Sequence, residues 1–170
     1  AVARRWLEKQ RGKLFVNIAN RGLRPSIISG VSEIVAEYSR CIVLEDDIVT
    51  STAFLPYMDS MLDLYEDCSQ VWQVSGWFAP GATGKPEHGC LRVPGCWGWG
   101  TWHRAWQGYN DDAGQLLGQL NESTRWRFNI DGSYDYWSAL ERNVVGTLNT
   151  WQVRWYASMF LNNALAIYPG

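Results

Sequence analysis

The chain has 170 residues, a formal net charge of −2 and no basic run, which fits one domain with a sizeable core and argues against nucleic acid or an anionic membrane surface as partner. No window approaches the roughly 18 consecutive apolar residues of a membrane span, and no charged-then-apolar leader opens it. Cys41, Cys68, Cys90 and Cys96 show no CxxC pairing, and with His88 and His103 the cysteines match no common zinc module, so a reducing, cytoplasmic setting, peripheral to a membrane at most, is expected.

Residues 2–11 read as a short helix, with Arg4, Arg5, Glu8, Lys9 and Arg11 around Trp6 and Leu7, ended by Gly12. Lys13–Ile18 reads as a strand. Asn20–Leu23 is a turn, and Pro25 suits the first position of the next helix. In that helix Ile27, Ile28, Val31, Ile34, Val35 and Tyr38 share one face. Cys41–Leu44 is a strand, with Cys41 as a buried thiol. Phe54, Leu55, Met58, Met61, Leu62 and Tyr65 mark an amphipathic helix after Ser51, and Val71–Ser75 is a further strand. This alternation predicts an α/β domain with a mostly parallel sheet covered by helices.

After Gly76 the texture changes. Ala79–Gly89 is rich in Gly and Pro and reads as a loop. Pro94–Gly100 is dense in turn residues and aromatics and leads into a short helix over Thr101–Gln107. Short helices are expected near 112–119 and 134–142. Thr150–Leu161 is apolar nearly all round and predicts a buried helix, and Ala164–Tyr168 predicts a last strand. A sheet of this kind wants a strand before the opening helix, and the chain stops right after a strand, so the expectation is a single domain truncated at both ends.

The most telling stretch is Cys41–Asp47, an apolar strand running straight into Glu45, Asp46 and Asp47. Three carboxylates delivered at the end of a buried strand repel one another unless a cation or donor groups sit among them. The crevice at that end of an α/β sheet is where ligands usually bind. A hard divalent metal on oxygen ligands is a common way to hold a diphosphate. The plainer alternative is that these acids cap the helix near Ser51. The chain also carries eleven Trp and eight Tyr, several beside Gly or Pro. Such aromatics either fill a core or line a surface that stacks on flat apolar faces, such as those of sugar rings.

Asn20-x-Gly22-Leu23-x-x-Ser26-Ile27-x-x-Gly30-Val31, then Val43-Leu44-Glu45-Asp46-Asp47, Phe54-Leu55 and Val74-Ser75-Gly76, resembles the GT-A nucleotide-sugar glycosyltransferases. The nearer likeness is to bacterial family-2-type sugar transferases, and the more distant one to the eukaryotic N-acetylglucosaminyltransferase I group. The Pro94–Gly100 loop and Trp151-x-x-Arg154-Trp155 also resemble the bacterial group. The likeness covers residues 13–108 well and 128–170 loosely. It implies a Rossmann-like GT-A fold with a donor- and metal-binding part over 1–76 and an acceptor part over 77–170. It further implies metal-dependent transfer of a sugar, with inversion, from a nucleoside-diphosphate sugar to a glycan or other hydroxyl acceptor.

By that resemblance Asp47 binds Mn²⁺ or Mg²⁺, Glu45 and Asp46 contact the ribose or donor sugar or hold the metal's waters, and Asn20 and Gly22 face the nucleotide sugar. Trp97 and Trp99, with Trp102, form the acceptor platform. Inversion needs a general base. Where the bacterial group carries an acid just before the Trp, this chain has Asn149-Thr150-Trp151, and an amide is no base. Asp135 is then the candidate base, with Asp131 behind it; either acid could instead be an ordinary surface carboxylate. Asn20 and Gly22 could simply make a turn, some of the tryptophans could be core, and Arg154 could pair with a structural acid rather than a phosphate. Asn121-Glu122-Ser123 fits a glycosylation acceptor, which matters only in a secreted protein. Two rival functions remain. One is a non-catalytic carbohydrate-binding module on a degenerate GT-A fold. The other is a metal-dependent phosphoesterase, for which the chain lacks both a P-loop and an Asp-x-Asp-x-Thr run.

Overall fold

The computed structural model describes residues 12–77 and 88–170. The helix expected over 2–11 and most of the loop expected over 79–89 lie outside the described residues. Within them the chain folds into a mixed α/β domain. In chain order it runs α1 (Leu23–Tyr38), β1 (Arg40–Val43), α2 (Phe54–Leu64), β2 (Val71–Ser75), β3 (His88–Leu91), β4 (Trp99–Trp102) and α3 (His103–Trp106). It continues with α4 (Ala113–Gln119), α5 (Glu122–Phe128), α6 (Tyr136–Val144), α7 (Trp151–Leu161) and β5 (Leu165–Pro169).

The five strands lie in the order β1-β4-β2-β5-β3. β4 is antiparallel to both β1 and β2, β3 is antiparallel to β5, and β2 and β5 form the one parallel pair among the described residues. The expectation of a mostly parallel sheet is therefore corrected to a mixed one. β1 and β2 do run in the same direction, as a strand-helix-strand reading requires, but β4 lies between them. Its entry depends on Gly100, where a Cβ would meet the Cys41 carbonyl at 3.1 Å and the Met58 and Leu62 side chains at 3.1 and 3.2 Å. Only a residue without a side chain lets α2 lie this close over β4.

Two strands were misread from the sequence. Trp99–Trp102 was expected to be turn and helix, and His88–Leu91 fell partly in a loop. Both contain glycine, which lowers strand propensity, and both are held by partners distant in sequence. Lys13–Ile18, expected as a strand, is irregular, with Phe15 65 % exposed. No described strand pairs with it, and an extended segment without a partner has neither a hydrogen-bond ladder nor a face to bury. The helix over 122–128 was not foreseen. Asn121 caps it, accepting from the Thr124 amide in a reciprocal capping box.

Period-two alternation divides β4 between the layers. Trp102 faces α2, its indole N–H donating to the Leu62 carbonyl at 3.2 Å. Trp99 points the other way, stacks on Trp151 of α7 with ring centres 5.0 Å apart, and meets Trp106 of α3 in a tilted contact at 6.0 Å. α3 reaches back to α1 through the Trp106 indole and the Ser32 hydroxyl, 2.9 Å apart. A second apolar cluster joins α4, α5, α6 and α7 through Leu116, Phe128, Leu140 and Tyr156.

Fully buried Gln73 ties sheet, loop and helix together. It accepts from the Trp155 indole at 2.7 Å and donates to the Ser75 hydroxyl at 3.0 Å and the Gly95 carbonyl at 2.6 Å. Every polar atom of its amide is thereby paired, which makes its burial tolerable. Among the described residues no helix is long and apolar enough to cross a membrane.

Candidate functional site

Since β1 and β2 point the same way and β4 opposes them, three segments meet at one edge of the sheet. They are the residues after β1, those after β2 and those before β4. A cavity of about 520 Å³ opens there, lined by Asp47, the Ile48–Ser51 segment, Phe54, Gly76, Trp77 and Trp97. It sits outside the carboxyl ends of two strands, the usual ligand position in α/β sheets.

The floor is set by glycine. Gly76 donates its amide to the Gly98 carbonyl at 2.7 Å. A Cβ on Gly76 would fall 2.2 Å from the Phe54 ring, and one on Gly98, where φ is +68°, would fall 2.9 Å from the same ring. Phe54, at the start of α2, thus rests on two residues that have no side chain to displace it.

Glu45–Asp47 form a tight turn, in which the Ile48 amide donates to the Glu45 carbonyl at 3.2 Å. They do not cap α2. That helix starts at Phe54 after Ala53, with no side-chain cap and no acid in its first turn. Among the described residues none of the three is in an ion pair. Partial burial, reinforced by the charges of Asp47 and Asp46, pushes the Glu45 carboxyl above the ordinary carboxylate range. The Cys96 thiol is pushed up by burial and then by the Glu45 carboxylate.

Among the described residues the charge thus has no ion-pair partner, and its donors are hard oxygens. No group of three or more His, Cys, Asp or Glu among the described residues forms a ready metal cage. Such a set fits a Mg²⁺- or Mn²⁺-like ion that takes one or two carboxylates and completes its shell with phosphate oxygens and water.

The aromatic assignments are partly overturned. Trp97 stands at the cavity, 53 % exposed, but Trp99 is 0 % exposed and stacked in the core, so Trp99 offers no face to an acceptor. Strand alternation turns it under α3 and α7. Trp102 is likewise buried. The partner that sequence reading missed is Trp77, 45 % exposed, which meets Trp97 edge to face with ring centres 4.6 Å apart. The signal was available, because Gly76-Trp77 follows β2 just as Asp47 follows β1.

Other sequence-predicted residues lie elsewhere. Asn20 accepts from the Gly22 amide at 2.8 Å, and Gly22, with φ +81°, precedes α1. The two build the turn, and neither lines the cavity. α1 begins at Leu23, so Pro25 sits inside its first turn, where a missing N–H still costs nothing.

Asp135 caps α6, accepting from the Ser138 amide and hydroxyl at 3.1 and 2.6 Å and from the Asn129 amide group at 3.0 Å. The Ser138 bonds hold its carboxyl below the usual range. It lines a separate cavity of about 500 Å³ with Tyr134, Arg142 and Gln152. Asp131 pairs with Arg92 at 3.1 Å. Arg154 is buried against the Asp111 and Thr150 carbonyls, at 3.0 and 2.6 Å, and the Asn143 side chain, so it serves structure rather than a phosphate. No family model, curated protein or solved structure matches the chain.

Proposed function

We propose that this chain is a GT-A glycosyltransferase domain of the bacterial family-2 type. On this reading it is metal-dependent and moves a sugar from a nucleoside-diphosphate sugar to a hydroxyl acceptor with inversion. The observation that carries the reading is the Glu45-Asp46-Asp47 turn at the carboxyl end of β1, without an ion pair among the described residues, beside a cavity with an aromatic wall. Asp47 lines that cavity and would hold Mn²⁺ or Mg²⁺. The ion would neutralise charge building on the leaving diphosphate. Glu45 and Asp46 would orient the donor through its hydroxyls or through water on the ion. Trp97 supplies the acceptor side. Donor and acceptor parts, 1–76 and 77–170, then meet across one opening.

Calorimetric titration of UDP and GDP, with and without Mn²⁺, tests the reading on wild type and Asp47→Ala. Metal-dependent binding is expected, and Asp47→Ala is expected to abolish it while leaving the melting temperature nearly unchanged, since the residue is exposed. Nucleotide binding that ignores both the metal and the substitution would sink the assignment.

One observation favours the rival reading, a carbohydrate-binding module without catalysis. Asp135, the base the sequence suggests, is engaged as a helix cap and lines a different cavity from Asp47. Glycan binding indifferent to nucleotide would decide for the rival.

A further inference from the structure

We infer that Trp77 and Trp97 together form a pyranose-stacking corner, with Trp77 as a specificity-determining residue of the cavity. The inference rests on the glycosyl-transfer reading for the identity of its ligand, and its test separates the two. The contrast among tryptophans carries it. Trp99, Trp102, Trp106, Trp137, Trp151 and Trp155 are all buried. Trp77, Trp97 and Trp126 are the strongly exposed ones among the described residues, and only the first two touch each other and a cavity. Leaving two large indoles half in water forgoes burial that the same chain obtains for its other tryptophans.

Their geometry gives the corner its shape. The rings meet at 90°, so one face and one edge make two walls of a right angle rather than a flat stack. A pyranose has an apolar face of axial C–H bonds and a rim of hydroxyls. Against such a corner its C–H face lies on one indole, and the rim stays free for polar partners. Asp47, Thr50 and Ser51 line the same cavity and supply acceptors and hydroxyls for that rim. The corner is also held in place from behind. Trp77 follows Gly76 and Trp97 precedes Gly98, and those two glycines are hydrogen-bonded to each other under Phe54. A flat aromatic base would stack on an indole equally well but would gain nothing from a rim of hydroxyl partners. The ring could belong to the donor's sugar or to a glycan acceptor.

The experiment uses wild type, Trp77→Ala, Trp97→Ala and Trp77→Phe, each checked by thermal melting. In one arm, UDP, UDP-glucose, UDP-galactose, UDP-N-acetylglucosamine, GDP and GDP-mannose are titrated with Mn²⁺ by calorimetry. In the other, saturation-transfer NMR is recorded with the methyl β-pyranosides of glucose, galactose and N-acetylglucosamine. If the ring comes from the donor, at least one nucleotide sugar binds tighter than its bare nucleotide. That gain drops roughly two- to twelvefold in each alanine variant and is partly kept by Trp77→Phe. If the ring comes from a glycan, saturation transfer from a methyl pyranoside is lost in both alanine variants. Either result supports the corner.

Sugar signals unchanged in both alanine variants, or absent for the whole panel, overturn it. Bare UDP or GDP binding with Mn²⁺ then shows whether the transferase reading survives that loss. Pyranoside binding at the corner with no nucleotide binding leaves the corner standing and removes the transferase.

Discussion

Asp135 shows how much a single carboxylate's role depends on its neighbours. The resemblance makes it a candidate base, yet its oxygens are committed to the Ser138 amide and hydroxyl and to Asn129. Asp and Asn cap helices about equally well, whereas Ala does not. Asp135→Ala is therefore expected to lower stability by about 1 kcal/mol, and Asp135→Asn by only a few tenths, as read by chemical denaturation. Turnover of the asparagine variant answers the chemical question separately. A base predicts a fall in kcat at unchanged donor affinity, and a cap alone predicts none. For Asp47 the legible part is its position: carboxylates released by an apolar strand come to lie at a cavity, and the structural use offered for them, capping α2, is not what the fold does with them. Asn20 and Gly22, which the resemblance placed on the nucleotide sugar, make the turn before α1 instead of lining the cavity.

At the scale of elements, α1, α2, α7, β1, β2 and β5 fall within a residue or two of where period and composition place them. β3 and β4 do not, since their glycines weaken any strand signal and their pairing is entirely long-range. The turn before β4 is the most sensitive point. Gly98→Ala puts a side chain at φ +68° and pushes it against Phe54. The backbone alone costs about 1–2 kcal/mol, and the clash adds to it, so the variant is expected to melt earlier than wild type. Displaced Phe54 would also deform the cavity floor. If Gly98→Ala matches wild-type stability, that turn is not built as described.

For the whole molecule, the network around Gln73 joins β2 to the Trp97-bearing loop through Gly95 and to α7 through Trp155. Gln73→Ala would leave the Trp155 N–H and the Gly95 carbonyl without this partner, each costing about 1–3 kcal/mol. Calorimetric melting is expected to show a large loss; a change under 1 kcal/mol would mean that water or a rearranged loop satisfies both groups. What the sequence determined by itself was local: amphipathic faces, a strand over 41–44 that the fold forms over Arg40–Val43, and three acids released at its end. Those follow from the spacing of side chains along one segment, which no distant contact alters. What only the tertiary structure decided was adjacency. β4 inserted itself between β1 and β2, Trp99 went to the core, and Trp77 was brought against Trp97. Each of these depends on contacts between segments far apart in the chain, where a glycine that admits close approach outweighs local propensity.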